Sequence, residues 1–162
     1  MAGTGVLEDL RKIRILAGLD DRALQRIAAY LESHDLPPGE PVIREEVPAG
    51  RCFFLVAGSV RVGSSMSDVD QEEVYSFLHE GDHFGEISLI DRRPPAASVV
   101  AEERCRLYSI GHDELRRLLK DEPALGNSIL WSMLESFCAR LRETNQSLSF
   151  ARFLMKRSDL AR

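Results

Sequence analysis

The residues best suited to binding chemistry lie in one short stretch, residues 81–90, which reads Gly-Asp-His-Phe-Gly-Glu-Ile-Ser-Leu-Ile. The pattern predicts a strand that ends at Phe84 and a short helical turn that begins after Gly85, because glycine allows close backbone approach. Backbone N–H groups at such a start lack internal partners and attract an anion such as phosphate. Glu86 then supplies an acceptor for a ligand hydroxyl. An ordinary turn followed by a helix-starting acid fits the same residues.

Short β-strands are predicted around this stretch, and they must hold it in place. Runs of β-branched and aromatic residues alternate with Gly, Asp, Ser or Pro, which indicates a small antiparallel sandwich or barrel. The predicted strands cover residues 42–44, 52–56, 59–62, 73–78, 97–101 and 104–110. Residues 57–58 join two of them in a tight hairpin, and the polar residues 63–71 are predicted to form an exposed loop.

Helices are predicted on both sides of the strands. Apolar residues at helical spacing over residues 7–31 indicate two short helices, the second capped near Asp20. Helical spacing returns over residues 113–120 and then in a long helix from residue 123 to about residue 148. The predicted divisions are N-terminal helices (1–34), a β-roll (35–111), C-terminal helices (112–148) and a basic tail (149–162).

The long C-terminal helix carries a repeating, mainly apolar seam. Its members alternate at four- and three-residue spacing, and they are Leu130, Leu134, Phe137, Leu141, Thr144 and Leu148. This heptad pattern predicts a coiled coil, and a homodimer is the simplest way to cover it. The alternative is a helix that packs only on its own β-roll, because about three heptads is the lower limit for recognising a coiled coil.

Three segments together resemble the cyclic-nucleotide-binding domain family, which includes the bacterial catabolite activator and the regulatory subunits of protein kinase A. They are residues 53–60, residues 81–90 with their Phe-Gly-Glu order, and residues 104–107. The resemblance implies a mainly β fold with α-helices: an antiparallel β-roll, or double-stranded jelly roll, flanked by N-terminal helices and a long C-terminal helix. It also implies that residues 81–90 cradle the cyclic phosphate and ribose of cAMP or cGMP.

Carried over residue by residue, the resemblance assigns a ligand site. It makes Gly85 a backbone N–H donor and Glu86 the acceptor of the ribose 2′-hydroxyl. The candidate ligand-binding set is Gly85, Glu86, Ile87, Ser88, Ala96, Ala97, Thr144 and Asn145. The last two correspond to a polar pair on the dimer helix that contacts adenine in the catabolite-activator subfamily. Thr144 fits equally well as a polar seam residue that fixes the register of a coiled coil.

The chain departs from the family pattern at the residue that should hold the phosphate. Where the family usually has an arginine followed by alanine or serine, this sequence has Pro95 followed by Ala96. Loss of such a charge-assisted bond removes about 1.5–3 kcal/mol, or roughly one to two decades of affinity. Arg92 and Arg93, just before the prolines, are candidate replacement cations, and a solvated loop is the alternative interpretation.

Composition and length restrict the class of partner. The 162 residues carry 21 basic and 26 acidic side chains, and the formal net charge of −5 is opposite to what binding of a nucleic-acid backbone requires. No apolar run approaches the about 20 residues of a membrane helix and no signal peptide is recognisable, so a soluble, cytoplasmic protein is expected. The residues after the dimer helix are too few for a helix-turn-helix, and direct DNA binding is therefore not expected.

Enzymatic and metal chemistry find no support in the sequence. The cysteines, Cys52, Cys105 and Cys138, form no Cys-x-x-Cys pair and are interpreted as small buried residues. His79 and His83 are separated by a Gly-Asp turn signal, so they are not expected to share a helix face as metal ligands. No hydrolase motif or phosphate loop with lysine occurs. We therefore expect no enzyme and no cofactor or metal, with cAMP or cGMP as the candidate ligand.

Two functions remain open on this evidence. The first is a stand-alone regulatory module that senses a cyclic nucleotide and signals through an unidentified partner protein. The second is a degenerate domain that binds neither cAMP nor cGMP and serves for dimerisation and protein interaction. Glu86 favours the first function and Pro95 favours the second.

Overall fold

The computed structural model describes residues 4–65 and 72–159 of the chain. Three short helical segments come first, and they are α1 (Thr4–Lys12), a 3₁₀ turn (Arg14–Leu16) and α2 (Asp21–Ala28). Helix α2 begins where predicted, because the carboxylate of Asp20 accepts the Ala23 N–H at 2.8 Å. These segments pack their apolar residues on the β-structure that follows.

The centre of the fold is a pair of four-stranded antiparallel sheets. The first sheet consists, in spatial order, of β1 (Glu32–Leu36), β8 (Cys105–Gly111), β3 (Arg51–Ala57) and β6 (His83–Phe84). The second consists of β2 (Pro41–Ile43), β7 (Ser98–Ala101), β4 (Ser59–Ser65) and β5 (Glu72–His79). Every strand pair is antiparallel. The predicted β-roll flanked by helices is confirmed.

Strand β3 is buried on both faces. Cys52, Phe54 and Val56 pack in the core beneath the helices, whereas Phe53 and Leu55 pack in the core between the two sheets. A strand between two covered faces carries a continuous apolar run instead of an alternating one. The strand therefore joins both parts of the hydrophobic core, and it pairs with β6, which leads directly into the candidate site.

Strand β1 was not predicted, and the β-roll begins at Glu32 instead of residue 35. Its sequence, Glu-Ser-His-Asp-Leu, lacks the β-branched and aromatic residues that mark a strand. The strand forms because it pairs along its length with β8, from Glu32 opposite Ser109 to Leu36 opposite Cys105. Its side chains are exposed or half-buried at the edge of the sheet, so little apolar content is needed there.

Strand β4 also extends beyond its predicted end. Residues 63–65 belong to the strand and pair with β5, although they were predicted to begin an exposed loop. Gly63 is needed at this point because a Cβ would lie 2.3 Å from the carbonyl oxygen of Glu73 on the neighbouring strand. The rest of the predicted loop, residues 66–71, lies outside the described residues.

Three helices follow or interrupt the second half of the roll. They are the short α3 (Ile87–Asp91), α4 (His112–Asp121) and the long α5 (Pro123–Asp159). Helix α5 was predicted to end near residue 148 and to be followed by a separate basic tail, but it continues through residue 159. Leu125, Ile129 and Met133 bury one face of its first half against the core. None of the described helices is long and apolar enough to cross a membrane.

The predicted seam lies mainly on the uncovered side of α5. Leu130, Leu134, Leu141 and Leu148 are 43–61% exposed, and the same spacing continues to Met155, which is 69% exposed. Phe137 differs, because it is half-buried and packs against the core of its own chain. Of the cysteines, Cys52 and Cys105 are buried as predicted, whereas Cys138 is exposed on α5 because its side of the helix has left the core.

Candidate functional site

The site begins at Gly85, immediately after β6. Its φ of +83° lies in the region that favours glycine. A Cβ would lie 2.5 Å from the carbonyl oxygen of Arg51 on β3, which is closer than two such atoms can approach. The fold therefore requires a glycine here for packing alone, so Gly85 by itself does not indicate a ligand.

Glu86 lies next to Gly85 and is almost completely buried, with 1% of the residue exposed. Its Oε1 accepts a hydrogen bond from Arg140 Nη1 at 3.1 Å, and Arg140 Nη2 donates to the carbonyl oxygen of His83 at 2.6 Å. Its Oε2 has no hydrogen-bond partner among the described residues. Burial raises the pKa of Glu86, and the hydrogen bond of its own backbone and the nearby Arg140 partly oppose that shift.

His83 is the second buried polar side chain of the site. Its Nε2 lies 3.8 Å from Glu86 Oε1 and makes no hydrogen bond among the described residues. Burial, with the charges of Arg140 and Arg14, lowers the pKa of His83 to about 3. The imidazole is therefore neutral near pH 7, and its proximity to Glu86 is not an ion pair. Burial and the nearby Glu86 also raise the pKa of the Cys52 thiol, which keeps it protonated.

A pocket of about 380 Å³ opens over Glu86. This volume falls within the range of about 300–1,000 Å³ that is usual for small-molecule sites. Most of its wall is apolar, and it includes Gly85, Glu86, Ile87, Ser88, Ala96 and Ala97 of the candidate ligand-binding set. Arg93 and Arg140 line the same pocket. The six candidates therefore share one cavity, and their contact with a ligand remains a prediction.

Of the two candidate cations, Arg92 and Arg93, one lines the pocket and the other does not. Arg93 lines the pocket together with Pro94 and Pro95. Arg92 does not line it, because it ends α3 in a left-handed conformation with φ 60° and ψ 23° and faces a neighbouring cleft. The carbonyl of Pro95 accepts the Glu46 N–H at 2.9 Å, which fixes the loop at the position of the missing arginine. Arg93 is thus the candidate of the two that reaches the pocket.

Thr144 and Asn145 lie outside the pocket of their own chain. Both are exposed on α5, and the Thr144 hydroxyl donates to the Arg140 carbonyl one turn earlier at 2.9 Å. The predicted contact with a base is therefore not made within one chain, and a contact across a dimer remains a prediction. Among the residues that the structure describes, no group of three or more His, Cys, Asp or Glu side chains is arranged to hold a metal ion.

Sequence reasoning missed Arg140 and His83 as site residues. Arg140 lies seven residues after Met133, and Met133 lies four after Ile129, so the three share the face of α5 that packs on the roll. An arginine on a buried face needs an anionic partner, and this spacing was the available signal. His83 had no comparable signal, because the burial of a two-residue strand depends on the neighbouring β3.

Two curated relatives match most of this chain. It is 28% identical over 142 residues to the CRP-like cAMP-activated global transcriptional regulator of Mycobacterium tuberculosis, covering 88% of this chain and 61% of that protein. It is 34% identical over 110 residues to the cAMP-dependent protein kinase regulatory subunit of Emericella nidulans, covering 68% of this chain and 26% of that protein. The chain thus spans about three fifths of the first relative and a quarter of the second.

Structural comparison and a family model agree with these relatives. The crystal structure of a cyclic nucleotide-binding domain from Methylobacillus flagellatus matches with a TM-score of 0.76 and 25% identity, covering 88% of this chain and 79% of that one. Both curated relatives are regulatory proteins by name, which agrees with the prediction of a regulatory module that is not an enzyme. The family model for the cyclic nucleotide-binding domain matches residues 33–122, more than half of the sequence. The chain therefore belongs to the cyclic nucleotide-binding domain family.

Proposed function

We propose that this chain senses a cyclic nucleotide and signals through a partner protein. The observation that supports this most directly is the pocket over Glu86. There a buried carboxylate has one oxygen held by Arg140 and the other without a partner in the described part of the chain. A buried acceptor without a partner is unfavourable until a donor arrives. A ribose hydroxyl is a suitable donor, and it accounts for a carboxylate at the floor of an otherwise apolar cavity.

The anionic part of the ligand is expected to lie near Arg93. This guanidinium is on the pocket wall beside Pro94 and Pro95, and it follows α3 by two residues. Proline provides no backbone N–H, so the loop offers fewer donors than an arginine and an alanine would at the same place. The cyclic phosphate then depends on Arg93 and on the backbone after Pro95, and we expect weaker binding than a family member with the usual arginine would show.

Binding should depend on Glu86 and should improve when the missing cation is restored. Glu86→Ala removes the acceptor for the ribose hydroxyl and should weaken cAMP binding by about 1–3 kcal/mol, or roughly five- to a hundredfold. Pro95→Arg adds a charge-assisted bond to the phosphate and should strengthen binding by a similar factor. Isothermal titration calorimetry with cAMP and cGMP measures both effects, and Glu8→Ala, an exposed residue of α1, is the control.

Two results would contradict this assignment. Tight binding that Glu86→Ala leaves unchanged would place the ligand elsewhere. The absence of saturable binding to the unmodified chain would instead support the second candidate function, a degenerate interaction module. Pro95 favours that second function, as does the Arg140–Glu86 contact, which already occupies one oxygen of the carboxylate. In that case Glu86→Ala should leave partner binding unchanged.

We propose that the module forms a homodimer through α5. The first half of this helix packs one face on the β-roll, and its uncovered face presents apolar residues from Leu130 to Met155. The helix continues past residue 148, so the seam is about one heptad longer than the sequence suggested. A second copy of the same helix can cover such a repeating face along its full length.

Glutamates in the seam should separate the dimer. Leu134→Glu together with Leu141→Glu places two charges in the proposed contact, and the dissociation constant should rise at least about a hundredfold. Phe137 is left unchanged because it also supports the core of its own chain. The control is Ala139→Glu with Gln146→Glu, which adds the same charge at exposed positions outside the seam. Sedimentation velocity measures the result, and an unmodified chain that is already monomeric would refute the proposal.

A further inference from the structure

A second cavity lies beside the pocket, and we call it the outer cleft. Its volume is about 650 Å³. It is bounded by the turn before β3, the end of α3 and the start of α4, with the lining residues Pro48, Ala49, Gly50, Ser88, Arg92, Arg93, Pro94, His112, Asp113, Glu114 and Arg116. Five residues line both cavities and form the wall between the outer cleft and the pocket: Ala49, Ser88, Arg93, Pro94 and His112.

Two uncompensated cations face the outer cleft. Within residues 4–65 and 72–159 the guanidinium groups of Arg92 and Arg93 make no ion pair or hydrogen bond, and the neighbouring Asp91 carboxylate accepts from the backbone N–H of Arg93 at 2.9 Å. The third arginine, Arg116, already has partners, because it donates to Asp113 at 3.1 Å and to the carbonyl of Leu89 at 2.8 Å. The unbalanced charge of the cleft is therefore positive.

The acidic residues at the start of α4 do not balance Arg92 and Arg93. Asp113 is paired with Arg116, and its side chain is 85% exposed. The carboxylate of Glu114 is turned back toward the start of its own helix, since a Cβ on Gly111 would lie 2.0 Å from Glu114 Oε2. The chain as a whole carries a formal net charge of −5, which makes a locally positive cavity unusual on this surface.

The backbone holds these arginines in a constrained loop. Arg92 adopts a left-handed conformation, with φ 60° and ψ 23°, that costs a residue with a side chain about 1 kcal/mol or more. The Arg92 N–H donates to the Ser88 carbonyl at 3.2 Å, and Pro94 restricts the next turn of the chain. A left-handed residue is a common way for a helix to end, and here it fixes the direction in which Arg93 and Pro94 leave α3.

We propose that the outer cleft binds a phosphoryl group through Arg92 and Arg93. A guanidinium donates two parallel hydrogen bonds to phosphate oxygens, which an ammonium cannot do. The start of α4 is only the opposite wall of the cleft, because the N–H of its first residue, His112, already donates to the Gly50 carbonyl at 2.9 Å and the Glu114 carboxylate lies at the helix start. A bound phosphoryl group would hold Arg92 and Arg93 together and so fix the loop that lines the pocket.

The phosphoryl group has two chemical sources. It is either a second phosphoryl group of the pocket ligand, which crosses the wall at Arg93, or a separate phosphate compound in the outer cleft alone. The assignment of the outer cleft does not depend on the proposed function, because Arg92 lines the outer cleft and not the pocket.

The test is isothermal titration calorimetry with pyrophosphate at low ionic strength, where charge screening is weakest. The unmodified chain should bind saturably, and Arg92→Gln and Arg93→Gln should each weaken binding about tenfold to a hundredfold. Arg22→Gln, an exposed arginine of α2, should leave it unchanged. No saturable binding to the unmodified chain overturns the proposal, and so does an equal loss in all three variants.

A second titration, in saturating cAMP, distinguishes the two sources. Unchanged pyrophosphate affinity indicates a separate ligand. Mutual exclusion indicates that cAMP and pyrophosphate compete for Arg93, which lines both cavities, as expected for one ligand that extends across the wall. Arg92→Gln should retain the cAMP affinity of the unmodified chain in either case. If cAMP does not bind at all, the proposed function fails, while pyrophosphate binding that depends on Arg92 still supports the outer cleft as a phosphoryl site.

Discussion

Replacing Arg140 with leucine should lower the free energy of unfolding at pH 7 by about 2–3 kcal/mol. The Glu86 carboxylate is buried, and the Arg140 guanidinium is the cation beside it. Without that cation the carboxylate stays charged in an apolar surrounding or takes up a proton. Protonating a carboxyl of ordinary pKa 4.5 at pH 7 costs about 3 kcal/mol, which sets the scale of the loss.

The same argument predicts that the effect of Arg140→Leu on the free energy of unfolding depends on pH. The raised pKa of Glu86 means that its stabilising contribution is present below pH 4.5 and is lost as the pH rises through the pKa of the folded state. Arg140→Leu raises that pKa further, so its effect should be large near pH 7 and should shrink toward pH 4.5. Urea unfolding followed by circular dichroism, at one protein concentration, measures the free energy of unfolding at pH 7 and at pH 4.5.

Two controls separate this effect from a loss of packing. Arg142→Leu removes an exposed arginine of the same helix and should change the free energy of unfolding little. Glu86→Gln removes the charge that needs Arg140, so adding Arg140→Leu to it should cost clearly less than in the unmodified chain. A loss that is the same at both pH values and in both backgrounds would show that Arg140 contributes only its alkyl chain.

The second large effect is expected in acid and originates at His83. Its pKa in the folded chain is about 3, against 6.5 for an exposed histidine. A lowered pKa means that the stability is present above pH 6.5 and is lost as the pH falls from 6.5 toward 3. At pH 4.5 the cost of keeping this imidazole neutral reaches roughly 2–3 kcal/mol.

His83→Leu should remove this acid sensitivity. The leucine fills a similar volume and has no proton to bind, and the His83 carbonyl that accepts from Arg140 belongs to the backbone and is kept. Between pH 7.5 and pH 4.5 the variant should therefore lose about 2–3 kcal/mol less stability than the unmodified chain. His79→Leu, at an exposed position, is the control. Parallel pH profiles for the unmodified chain and His83→Leu would exclude His83 as the titrating group.

The parts of the fold that could be predicted are those in which local pattern and tertiary role agree. The apolar run of β3 is a strand wherever it packs, and the carboxylate of Asp20 caps α2 through a contact three residues away. Strand β1 could not be predicted in this way, because its polar sequence becomes a strand only through pairing with β8, where Glu32 lies opposite Ser109 and Leu36 opposite Cys105. No local periodicity encodes that pairing.

In the candidate site too, some features follow from the local sequence and others depend on residues far along the chain. The order Phe-Gly-Glu predicted that a strand ends at Phe84 and that a helical turn begins after Gly85, and the structure has β6 ending at Phe84 and α3 beginning at Ile87. The cation that holds Glu86 comes from Arg140, 54 residues away, and depends on where α5 crosses the roll. Arg92 and Arg93 were indistinguishable in sequence, and only the left-handed end of α3 keeps Arg92 out of the pocket that Arg93 lines.

Helix α5 packs on the core and the β-roll along its first half, up to Arg140. Its last polar contact with the β-roll among the described residues is Arg140, and the described side chains beyond it are exposed. From Arg140 to Asp159 the helix extends about 28 Å, so a tilt of about 10° at Arg140 would displace its end by about 5 Å. A change of angle where Arg140 meets Glu86 would therefore grow with distance along the helix, and a partner bound near Phe150 or Met155 would meet a displaced surface.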